Sequence, residues 1–138
     1  MEVSIVNLQK KVRIPKAAIL SRTKKVLRHE GLYQGQLTIV FVSDPTIKKL
    51  NQKFLKHRTA TDVLTFDYSK NKKDFAGEII ISADTTHRQA KTYQVSFRQE
   101  IILYVIHGIL HLLGFDDHRP ADIRRMRKKE TELMRYLV

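Results

Sequence analysis

The sequence predicts an α/β (α+β) fold in one domain, residues 1–138. Three observations carry it. Apolar residues recur with strand periodicity in four places and with helical spacing in about five. The length of 138 residues is that of one ordinary domain, able to bury about two thirds of its unfolded surface. The hydrophobic share of 42% and charged share of 29% are those of a soluble globular chain, with neither internal repeat nor low-complexity stretch.

Taken in order, Val3 and Ile5 alternate with polar neighbours and predict a strand with one face on the core. A helix follows Pro15, with Ala18, Ile19, Val26 and Leu27 inward, and Gly31 ends it. LTIVFV, 37–42, is β-branched and continuous enough for a buried strand. Ser43, Asp44 and Pro45 then supply the cap and first turn of a helix carrying Ile47, Leu50 and Phe54. TDVLTFDY, 61–68, alternates as a strand, SKNKKD is a loop, and GEIIIS, 77–82, is the fourth strand. Ser82 caps a helix running to about Tyr93, and Ser96 with Gln99 forms a capping box ahead of a long apolar helix. Pro120 opens the last helix, with Ile123, Met126, Leu133 and Leu137 inward. Tyr93 and Phe97 are expected in the core.

The chain has no cysteine, which excludes disulfides and thiolate ligands, so any zinc site must use His, Asp or Glu. MEVSIVNLQKK lacks the basic start and apolar centre of a signal peptide. The apolar run from Ile101 to Phe115 is shorter than the ~20 residues of a membrane helix and holds two histidines, which predicts a buried helix and no membrane partner. Lys and Arg total 26 against 14 acidic residues, a formal charge of +12. Such a field attracts polyanions. Lys10, Lys11, Arg13 and Lys16 cluster near one end, and Arg119, Arg124, Arg125, Arg127, Lys128 and Lys129 follow the histidine-rich stretch.

That stretch is HGILHLLGFDDH, 107–118. On a helix His107 and His111 share one face and can share one ion. Gly114 suits a left-handed turn that swings the chain back over that face. HxxxHxxGxx followed by a ligand is the spacing of several zinc hydrolases, which makes Asp117 the in-register third ligand. A one-residue bulge would put His118 there instead, with Asp116 or Asp117 orienting an imidazole. Three protein ligands leave a position for water, as a hydrolytic ion requires. Gly108 stands where HExxH peptidases carry their general base, which argues against peptide hydrolysis.

HGILHLLGFDDH, with TDVLTF at 61–66, GEIIIS at 77–82 and Gln89-Ala90, resembles the YbeY family of bacterial endoribonucleases, and the likeness runs from Leu50-Asn51 to Met126 and Glu130. The resemblance implies a cytoplasmic, single-strand-specific, zinc-dependent endoribonuclease that matures the 3′ end of small-subunit ribosomal RNA and serves ribosome quality control. It implies one zinc ion as cofactor with no small-molecule cofactor, RNA and the ribosome as partners, and a four-stranded mixed sheet with a zincin-like metal helix. The family's first two metal histidines fall on His107 and His111. Its third histidine falls on Asp117, a weaker choice for Lewis acidity. Leu55 replaces an arginine thought to act in catalysis, with Lys56, His57 and Arg58 close by, and Arg58 is the candidate phosphate contact. Glu78 and Thr65 stand where aspartate and serine are common, and Thr61, Asp62 and Glu78 read as strand-end hydrogen bonding. The rival class is a non-catalytic RNA- or ribosome-binding assembly factor whose ion pins the last helix.

Overall fold

Four strands form the sheet of the computed structural model, which describes residues 1–54, 63–71 and 73–138. They are β1 (Glu2–Asn7), β2 (Gly35–Val42), β3 (Val63–Asp67) and β4 (Phe75–Ser82), in the order β1-β2-β4-β3. β1 and β4 run parallel to β2, and β3 is antiparallel to β4, so the sheet is mixed. Five helices among the described residues complete one domain: α1 (Lys16–His29), α2 (Asp44–Phe54), α3 (Ala83–Thr92), α4 (Phe97–Leu112) and α5 (Pro120–Tyr136).

The central strands are largely apolar because both faces are covered. Ile39, Phe41, Ile79 and Ile81 face a large cluster with Ile19, Val26, Leu27, Ile101, Ile106, Ile109, Met126 and Leu133, drawn from α1, α4 and α5. Val40, Val42, Leu64 and Ile80 face Ile47 of α2. Each strand of the central pair begins two residues earlier than its β-branched run predicts, because parallel pairing extends to Gly35 opposite Phe75, whose ring joins the core. Ser82 caps α3 and Ser96 with Gln99 makes the capping box of α4, both as the sequence predicts. Tyr93 is a correction. Its side chain is 66% exposed, because α3 ends at Thr92 and the chain turns at Gln94, whose φ is 56°, while Phe97 does pack against the core.

One tie the sequence hides joins the C-terminal ends of β2 and β4. The Asp44 carboxylate, at the start of α2, accepts hydrogen bonds from Ser82 Oγ, which caps α3, from Thr85 Oγ1 (2.6 Å) in its first turn and from Arg88 (2.8 Å) one turn further on. Burial pushes its pKa up, but the three hydrogen bonds and the Arg88 charge outweigh that and hold it at about 2 against the ordinary 3.8. A depressed carboxylate stabilises the fold fully above its unfolded value and loses that contribution as pH falls through its folded one. Asp44→Asn therefore lowers stability by about 1 kcal/mol at neutral pH, solvent screening taken into account, and the loss fades as pH falls from about 4 through 2. Denaturant midpoints of both proteins across that range check it.

Candidate metal centre

α4 is the mount of the site. Its inner side is buried against the sheet, and Gly108 lies so close to β4 that an added Cβ would fall 2.8 to 3.0 Å from three carbons of Ile79. Gly108 therefore does more than leave out a base: a side chain there must displace Ile79 or lift the helix from the sheet. His107 and His111 flank it on the open side.

The helix ends as the sequence predicts. Gly114 takes φ +98°, the Gly114 N–H donates to the His111 carbonyl (3.0 Å) and the Phe115 N–H to the Leu110 carbonyl (2.9 Å), the two bonds of a Schellman turn. This turn does two things for the site. It brings Asp117 back over the histidines, and it places the Phe115 carbonyl 3.1 Å from His111 Nδ1. Across the cleft, Glu130 of α5 stands 3.3 Å from His107 Nδ1.

These two contacts decide what the rings present. A backbone carbonyl and a carboxylate only accept, so these contacts favour the tautomer that carries its proton on Nδ1 and leaves the Nε2 lone pair for an ion. The two Nε2 atoms are 3.0 Å apart, and Asp117 Oδ2 lies 3.4 Å from His111 Nε2 and 3.7 Å from His107 Nε2. Three ligand-type atoms thus converge on one point. Ligands held about 2.05 Å from a tetrahedral ion are separated by about 3.3 Å, the size of this triangle, so the donor set fits a zinc-like cation. The side chains of His107, His111 and Asp117 are 29%, 26% and 40% exposed, which leaves an approach from solvent.

Of the sequence-predicted residues, His107, His111 and Asp117 come together as a group able to hold a metal ion. His118 does not join the two histidines: its ring is 81% exposed and faces Asp116 at 3.4 Å, in a second acidic group that shares Asp117. Leu55, Lys56, His57, Arg58, Thr61 and Asp62 lie outside the described residues. The role of Glu130 escapes sequence reasoning because its partner is 23 residues away. The signal was there in the stripe Ile123, Met126, Glu130, Leu133, Leu137, where a carboxylate occupies an inward position and so needs a partner.

Fold and donor set together define a class: mixed α/β domains that carry a three-donor, metal-competent site on a buried helix. The profile described as Endoribonuclease YbeY matches residues 4–138. A protein named Endoribonuclease YbeY from Amoebophilus asiaticus is 42% identical over 109 residues, 79% of this chain and 74% of that one. Its namesake from Thermodesulfovibrio yellowstonii is 34% identical over 158 residues, covering 99% and 98%. The solution structure of TM1509 from Thermotoga maritima superposes with a TM-score of 0.67 at 26% identity over 98% of this chain and 88% of that one. The chain belongs to the YbeY family, a family of RNA-cutting hydrolases. Among the described residues no helix is long and apolar enough to cross a membrane.

Proposed function

We propose that this chain is a cytoplasmic zinc-dependent endoribonuclease, specific for single strands, that trims the 3′ end of small-subunit ribosomal RNA and takes part in ribosome quality control. The carrying observation is the convergence of His107 Nε2, His111 Nε2 and an Asp117 oxygen, with an acceptor, Glu130 or the Phe115 carbonyl, facing the Nδ1 of each ring. His107, His111 and Asp117 hold the ion, which when bound supplies Lewis acidity at an open coordination position. Glu130 keeps the proton of His107 on Nδ1, and the Phe115 carbonyl does the same for His111, so both rings stay aimed without cost at the moment of reaction.

The remaining work is to bring and hold a polyanion. A formal charge of +12 draws RNA from a distance, and the exposed Arg119, Arg124, Arg125, Arg127 and Lys128 in and before α5 add to that pull. Single strands suit the site because their backbone can settle into a shallow opening that a rigid duplex spans. An assembly factor with a purely structural ion would gain nothing from donors as open to solvent as these.

The test is a cleavage assay on one RNA sequence, single-stranded and annealed to its complement. The single strand is cut, the duplex is spared, a chelator stops the reaction and added zinc restores it. Cleavage indifferent to the chelator would sink the proposal.

A further inference from the structure

We propose that Arg127 is the side chain that grips the phosphate beside the metal donors, an inference that rests on the nuclease reading above. A cavity of about 190 Å³ opens between α4, the Asp117 turn and α5, lined by His107, Asp117, Ile123, Met126, Arg127 and Glu130. Two of these residues belong to the donor set, one orients a donor ring, and two are apolar. Arg127 is the cation in the lining.

Its surroundings leave it free for a ligand. Among the described residues its guanidinium has neither ion pair nor hydrogen bond, and only its backbone carbonyl is engaged, by Thr131 Oγ1 at 2.9 Å. The neighbouring Lys129 is spent differently, on Glu30 of α1 at 3.1 Å and on Glu132 at 3.8 Å. Glu130 is three residues from Arg127, a spacing that permits an ion pair on a helix. Yet it stands against His107 at 3.3 Å.

Charge arithmetic gives the free guanidinium its purpose. Asp117 and Glu130 bring two negative charges to the cavity, enough to balance a divalent cation between neutral imidazoles. A phosphodiester arriving there meets an electrically balanced centre, and Arg127 supplies the positive charge that favours it over solvent. The planar guanidinium can engage two phosphate oxygens at once, fixing the phosphorus relative to the donors as well as attracting it. Arg124, exposed and three residues before Arg127, lies on the neighbouring part of the helix surface, where it can meet an adjoining phosphate.

The test compares metal-loaded wild type with Arg127→Gln, Arg127→Lys and the charge-matched Arg135→Gln, exposed at the far end of the same helix. Two readouts are taken: cleavage of single-stranded RNA, and binding of its 2′-O-methyl analogue against salt concentration, with and without chelator. Arg127→Gln weakens binding about tenfold and lowers the slope of log K against log salt by about 0.7, the loss of one phosphate contact. Arg127→Lys regains the slope but cleaves more slowly than wild type, since charge returns without the two-pronged grip. Arg135→Gln behaves as wild type in both. If wild type cuts RNA and Arg127→Gln matches Arg135→Gln in rate and slope, the Arg127 assignment is overturned and the nuclease reading stands. If wild type shows no metal-dependent cleavage, the nuclease reading falls, and unchanged binding by Arg127→Gln overturns the Arg127 assignment as well.

Discussion

His111→Ala brings RNA cleavage down by more than about a hundredfold while affinity for single-stranded RNA changes little. The separation follows from the geometry. His111 Nε2 is the corner of the donor triangle nearest both other corners, at 3.0 Å from His107 and 3.4 Å from Asp117, so its removal leaves two donors that face each other across 3.7 Å. RNA attraction comes from the lysines and arginines, which the substitution does not touch. The ring is only 26% exposed and leans on the Phe115 carbonyl, so melting temperature is measured alongside. A folded His111→Ala protein that cleaves at the wild-type rate would remove the metal from the mechanism.

Glu130→Ala lowers metal affinity by roughly 10- to 100-fold without removing any ligand. With the carboxylate gone from His107 Nδ1, the ring gains freedom to rotate and to shift its proton to Nε2, where it blocks coordination. Glu130→Gln loses less, since its amide oxygen can still accept from Nδ1 while the negative charge is lost. Competition against a fluorescent chelator measures the three affinities in order, and equal values for all three would show that Glu130 does not orient the ring.

Much of the fold was legible because the rules that made it are local. Ser96 with Gln99, Pro120 at a first helical turn and Gly114 after a histidine-bearing helix each act within a few residues, and each does in the structure what its chemistry predicts. The convergence of His107, His111 and Asp117 was legible for the same reason: helical pitch and one turn set it. What stayed hidden depends on parts of the chain that meet only after folding. Asp44 finds Ser82, Thr85 and Arg88 across some forty residues, and Glu130 finds His107 across the α4–α5 cleft. Tyr93 was misjudged because an aromatic residue at the end of a helix carries no local mark of whether the next element will cover it.

The close seat of Gly108 on Ile79 also bears on how such sites diversify. A lineage drifting from RNA cutting towards peptide cutting would want a glutamate beside the first histidine. Here the new side chain would crowd Ile79, so a single substitution brings an overpacking cost of about 1–3 kcal/mol along with any new activity. A chain with a smaller residue at position 79 would take the step at less cost, which makes the order of the two substitutions matter.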